Sequence, residues 1–217
     1  MPPYIGVMAR TASYDREAAL EAAMTLFWAK GYHATSLKDL EAALNMKPGS
    51  IYAAFHSKEA LFRATLDRYA GRMTAEMQAM IQSSLSPLAA LQGHLEGLSE
   101  LTPCSRPSTA CMLVKSLLEV PQDGDLRAFI TAHLDRVEQV IGAALRAAQA
   151  KGELPASVDT ARLARRVQTY IFGLKVQAQR ETDPQRMHDL CQDLAAEIGR
   201  LPQSRSTEGS QSETAGT

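Results

Sequence analysis

Three features of this 217-residue chain predict an all-α fold. Ala and Leu are abundant, aromatic residues make up only 6%, and no stretch alternates β-branched with polar residues as a half-buried strand would. With 45% hydrophobic residues the chain can bury one good core and a small satellite domain.

Taken in order, Asp15 is placed to cap a first helix whose Leu20, Ala23, Met24 and Phe27 share a face, and Gly31 ends it. Ser36 or Thr35 can accept hydrogen bonds from the first free amides of a second, short helix with Leu37, Leu40 and Leu44 at i, i+3, i+7. Asn45-Met46 then suits a sharp turn, because Asn tolerates a left-handed backbone, with Met46 pointing inward. Pro48 fits the N1 position of a third helix that buries Ile51 and Phe55 at i, i+4. The opposite face of that helix offers Lys47, Gly49, Ser50, Tyr52, Ala53 and His56, mostly small or hydrogen-bonding groups. A helix with such a face can approach a major groove closely, so residues 31–62 read as a helix-turn-helix.

Beyond it, a long helix is predicted over 58–83 and another over 87–101. A loop over 102–108 is marked by Pro103 and Pro107. A short apolar helix follows over 109–119, a long one over 125–151 closed by Gly152, and an antiparallel pair over 159–179 and 183–201, the latter with Pro184 at N1. From Pro202 onward the chain is rich in Ser, Thr, Glu and Gly and is expected to be disordered.

Charge carries little of the argument. Lys and Arg number 23 against 24 Asp and Glu, and in the first 62 residues Arg10, Arg16, Lys30, Lys38, Lys47 and Lys58 are balanced by Asp15, Glu17, Glu21, Asp39, Glu41 and Glu59. Binding to DNA would need those few cations gathered on one face and two copies of the site per complex, since phosphate neutralisation sets most of the affinity. Otherwise they are ordinary solvated charges on a helical bundle. No apolar run approaches the roughly 18 residues of a membrane span, and Met1-Pro2-Pro3-Tyr4 lacks a basic segment followed by an apolar one, so a cytoplasmic protein is expected. There is no Ser-His-Asp spacing, no His pair on one helix face and no Gly-rich phosphate loop, so neither catalysis nor a cofactor is expected. The rival of another class is a helical adaptor, which would show no salt-dependent binding to its own promoter DNA.

Phe27, Gly31-Tyr32, Ala34-Thr35-Ser36, Asp39-Leu40, Gly49-Ser50-Ile51-Tyr52, Phe55 and Ser57-Lys58-Glu59-Ala60-Leu61 together resemble the N-terminal third of TetR/AcrR-type transcriptional repressors. Asn45 stands where the family usually has Gly, and Lys47 where it usually has Ser, which leaves the third helix without its usual N-cap side chain. The resemblance implies that Thr35, Ser36, Tyr52 and Lys58 bind phosphates and that Lys47, Pro48, Gly49, Ser50 and Ala53, with His56 beyond them, face the bases of double-stranded operator DNA. Ala53-Ala54 replaces bulkier residues, which favours reading by methyl contact and shape. It implies further that 1–57 is an N-terminal arm plus DNA-binding domain, 58–201 an effector-sensing and dimerisation domain, and 202–217 a tail. In that family the last two helices pair with their symmetry mates in a four-helix bundle, which would make Tyr170, Leu174, Leu190, Leu194 and Ile198 a homodimer interface; plain intramolecular core is the other reading of these stripes.

Ala110-Cys111-Met112-Leu113-Val114 with Glu119, Asp125-Leu126-Arg127 and Gly152-Glu153-Leu154 resemble a branch of the family that senses electrophiles and oxidants through the cysteine. A thiol senses as thiolate, which a helix N-terminus or a cation favours, and Cys111 falls in the first turn of the predicted 109–119 helix, between Arg106 and Lys115, with Lys175 on a later helix. Cys111 can equally be a small buried hydrophobe. Cys104 would be a resolving thiol if the loop folds back, and Cys191 is most simply packing. Three cysteines without Cys-x-x-Cys spacing argue against a disulfide framework. Met112, His94 and His133 are commoner as core or surface than as a soft-metal site, so no metal is expected. The alternative effector is a reversible apolar molecule in a pocket between the fourth and eighth helices.

Overall fold

The computed structural model describes residues 8–101 and 107–200. Among them the regular structure is entirely helical: α1 Met8–Lys30, α2 Leu37–Leu44, α3 Pro48–Phe55, α4 Lys58–Ser83, α5 Pro87–Gly97, α6 Met112–Glu119, α7 Asp125–Ala150, α8 Thr160–Arg180 and α9 Pro184–Gly199, with a single 3₁₀ turn at Leu98–Glu100 after α5. No helix among the described residues is long and apolar enough to cross a membrane. Cys104 and the predicted tail lie outside the described residues.

Most boundaries follow from side chains that close the helix ends. Ser36 and Asp39 form a reciprocal capping box at the start of α2, and Asn45 closes it in the left-handed conformation, φ 50° and ψ 43°. The Ser57, Ser86, Asp159 and Asp183 side chains accept amide hydrogen bonds at the starts of α4, α5, α8 and α9. Two boundaries differ from expectation. α1 begins at Met8, so Asp15 lies inside the helix and not at its N-cap; no Gly or Pro between them stops the helix. α6 begins at Met112 because the preceding residues are tied sideways to α8: the Thr109 amide donates to Gln179 Oε1 at 3.2 Å and its hydroxyl to the Lys175 carbonyl at 2.9 Å. Cys111 is therefore the N-cap of α6.

The interior falls into two apolar clusters. One gathers α1, α2 and α3, the first half of α4 through Leu61, Phe62, Leu66 and Tyr69, and also Cys111, Met112 and Leu113 of the α6 region and Ile130 of α7. The other is built on α5, α7, α8 and α9 around Leu91, Leu95, Ile141, Leu145 and Val167. The helix-turn-helix therefore shares its core with α6 and the start of α7. α9 packs chiefly on α5, and α8 on α7.

Candidate functional site

The surface expected to face DNA is what α2 and α3 leave uncovered. Leu40, Leu44, Ile51 and Phe55 are buried, which turns Lys47, Gly49, Ser50, Ala53 and His56 outward and leaves the Tyr52 ring 46% exposed. Lys47 precedes α3 with no side-chain cap, since an ammonium only donates and cannot accept the first free amides. A Cβ added to Gly49 would meet nothing within 4 Å, so the protein's own packing does not demand glycine there and the backbone lies open to close approach. His56 ends α3 with φ 67°, a left-handed geometry that nothing in the sequence announced.

Two predicted phosphate contacts need revision. Thr35 is fully buried and its hydroxyl donates to the Gly31 carbonyl at 2.6 Å, so its side chain serves the turn after α1 and cannot present its hydroxyl to DNA. The Ser36 hydroxyl is exposed but engaged with Asp39, accepting that residue's amide and donating to its carboxylate. Lys30, ion-paired at 2.8 Å, and then Ser36 hold the Asp39 carboxyl well below the usual carboxylate range. Lys58 is half-buried with its ammonium 4.5 Å over the Tyr32 ring, and burial lowers its pKa while Asp39 and Glu119 oppose that.

Beneath this surface α6 is bolted to the end of α1. The Trp28 indole N–H donates to the Ala110 carbonyl at 2.7 Å, and Lys115 Nζ donates to the Trp28 carbonyl at 2.6 Å and to that of Ala29 at 3.2 Å. Glu119 Oε2 accepts the amide of Tyr32 at 2.8 Å. The end of α1 thus has its free carbonyls met by a cation and the turn after it has its amides met by a carboxylate, both from one short helix. Lys115 and Glu119 share a face of α6 at i, i+4, the only sequence sign of this junction, and such spacing is ordinarily a surface pair.

A cavity of about 680 Å³ opens behind the junction. Besides α4, α5, α7 and α8 it is walled by α1, through Glu21, Met24, Thr25 and Trp28. Met73, Met77 and Met80 form a stripe on α4, and His94 and Lys175 bring polar atoms to the buried side. Burial, and then the Lys175 charge, push the His94 pKa down to about 4, and its Nε2 is buried without a hydrogen-bond partner.

Among the described residues the cysteines and histidines do not converge. Cys111 is only 2% exposed, in the cluster shared with the helix-turn-helix, and lies outside the cavity lining. Lys115 is occupied at the end of α1, and Lys175 lines the cavity. Cys191 is sealed in the other cluster, where burial pushes its thiol up to about 11. His133 Nε2 faces Asp67 Oδ1 at 3.0 Å.

The predicted interface stripe on α8 and α9 splits. Leu174 and Ile198 are fully buried in their own protomer, in the cluster built on α5, α7, α8 and α9, so neither offers surface to a second chain. Tyr170 and Leu194 are half-buried, while Leu190 and Val176 are exposed at 37% and 51%.

A helix-turn-helix with an outward face of small and polar residues, seated on a larger helical body, defines a DNA-binding transcriptional regulator. Residues 19–65 match the bacterial regulatory proteins of the tetR family and residues 87–194 a tetracyclin repressor-like C-terminal domain. The HTH-type transcriptional repressor ComR of Escherichia coli K12 is 33% identical over 171 residues, 78% of this chain and 81% of ComR. The uncharacterized HTH-type regulator YezE of Bacillus subtilis is 26% identical over 84% of this chain and 95% of its own. Among solved structures, a cysteine mutant of the TetR-family regulator CifR complexed with 26-bp double-strand operator DNA is similar at TM-score 0.75 and 30% identity, covering 83% of this chain and 95% of that one. The chain belongs to the TetR family of transcriptional regulators.

Proposed function

We propose that this protein is a homodimeric repressor that binds a two-fold operator through paired α3 helices and leaves it when a small molecule occupies the cavity walled by α1, α4 and α8. The supporting observation is Trp28. One side chain lines the cavity and hydrogen-bonds the segment leading into α6, while its carbonyl is held by Lys115. A ligand that moves α4 or Trp28 shifts α1 and with it the recognition helix, and a dimer reading two half-sites about one DNA turn apart, roughly 34 Å, tolerates little such movement.

The coupling is testable without knowing the effector. Gly97 lines the cavity in ordinary helical geometry, φ −63°, and a Cβ added there meets nothing within 4 Å. Gly97→Leu should partly fill the cavity and weaken binding to the promoter DNA beside its own gene, measured by footprinting, about tenfold or more, with the fold intact by circular dichroism. Unchanged operator affinity in a folded Gly97→Leu protein would refute the coupling.

A thiol switch at Cys111 is a second reading, supported by its place as N-cap of the helix that carries Lys115 and Glu119. With 2% of the residue exposed, an adduct on its sulfur has no room and would lever α6 away from α1. Under this reading Cys111→Ser binds the promoter normally yet fails to release it after electrophile treatment. Release equal to that of the parent protein leaves only the reversible ligand.

A further inference from the structure

The cavity's lining is asymmetric in a way that specifies more than apolar contact. Its carboxylates stand toward solvent: Glu76 is exposed, and Glu21 is half-exposed and engaged by Arg68 and Arg72. Arg72 and Thr25 are exposed beside them, whereas His94 and Lys175 bring polar atoms to the buried side. Lys175 is 8% exposed and His94 Nε2 is buried without a partner. A buried nitrogen without a partner is a standing cost that a ligand atom can remove.

We propose that His94 and Lys175 together bind the carboxylate of an amphipathic organic acid whose apolar body lies along the methionine wall of α4. This rests on the cavity being the effector site. A neutral imidazole can donate one N–H and a lysine ammonium carries three donors, so Lys175 can hold a ligand oxygen alongside a partner within the protein. A carboxylate accepts at two oxygens and matches a site with two donor groups better than a hydroxyl does. At neutral pH His94 is uncharged, leaving Lys175 as the cation at this end, so a ligand amine meets repulsion and a carboxylate meets attraction. Met73, Met77 and Met80, flexible and polarisable, adapt to aliphatic or aromatic bodies, so the head group is the more discriminating feature.

Trp28, the only tryptophan in the sequence, lines the cavity and reports its occupancy by fluorescence. Octanoate, 1-octanol and octylamine share one chain and differ in the head group. Titrated into the full-length protein and followed by Trp28 emission and by calorimetry, octanoate should bind about tenfold or more tightly than 1-octanol, and octylamine most weakly. Lys175→Met should abolish the preference while keeping 1-octanol affinity, and His94→Phe should reduce it, each checked for folding by circular dichroism. Equal affinities for octanoate and 1-octanol, or a preference that survives in both folded variants, overturn the carboxylate site and leave the cavity reading standing. Binding of none of the three overturns both.

Discussion

Glu119, the last residue of α6, accepts the Tyr32 amide at 2.8 Å, and it does so across a separation in sequence that places the larger helical body and the helix-turn-helix in direct contact. The approach depends on Gly31. Its φ is +87°, and a Cβ there would run into the Glu119 carboxylate. Gly31→Ala should therefore destabilise the protein by about 1–3 kcal/mol in urea unfolding, through left-handed strain and loss of this contact. Glu119→Ala should cost about 1–3 kcal/mol and loosen the operator complex, because the Tyr32 amide loses its acceptor. Wild-type stability in Gly31→Ala would show that α6 is not docked on that turn.

At the DNA surface, Gly49→Ala separates packing from recognition. The site is open, so the substitution should leave stability unchanged or raise it by up to about 1 kcal/mol through helix propensity. Operator affinity should nevertheless fall, since a methyl group stands where the backbone meets the groove. Improved or unchanged affinity would place the groove elsewhere.

Phosphate contacts should show in the salt dependence. Lys58→Ala is expected to weaken binding to all sequences alike and to lower the salt slope by about one unit, whereas changes at Ser50 or Ala53 should alter which sequence is preferred. A Lys58→Ala protein with the parental slope would show that this ammonium does not touch the backbone.

For assembly, Leu190→Asp is the informative change. Leu190 is exposed in the protomer, so a charge there costs the fold little, yet it would sit in the proposed α8–α9 interface. Light scattering should find a folded monomer that no longer binds the operator. A dimeric Leu190→Asp protein would move the interface off this face.

His94 gives a signed pH dependence. Its folded pKa, about 4, lies below the ordinary histidine value of 6.5, so the unfolded chain takes up a proton first as pH falls. Stability is complete above about pH 6.5, declines between there and about pH 4 by up to about 3 kcal/mol, and then levels off. His94→Gln should remove this part of the slope in denaturant titrations, leaving that of His133, which burial also lowers and Asp67 opposes. An identical slope in His94→Gln would mean that His94 titrates normally in the native protein.

Elements governed by neighbours in the chain were legible in the sequence. A cap at Ser36 or Thr35, the left-handed Asn45, the prolines at the starts of α3, α5 and α9, and the Leu40, Leu44, Ile51 and Phe55 stripe act over one or two helical turns, so their spacing along the chain determines their geometry; that Ser36 is the cap, with Asp39 reciprocating, came from the structure. The outward face of α3 follows from the same periodicity. What only tertiary structure decided was the use of groups whose partners lie far along the chain. Thr35 has the composition of a phosphate ligand and is spent on Gly31; Leu174 and Ile198 lie on apolar stripes that their own protomer covers; Lys115 and Glu119 look like a surface pair and instead close the end of α1. Apolar periodicity tells which face of a helix avoids water, but not which of several apolar surfaces will cover it. The cavity has the same origin, since its walls come from five helices and His94 and Lys175 are brought to one cavity only once α5 and α8 have packed around it.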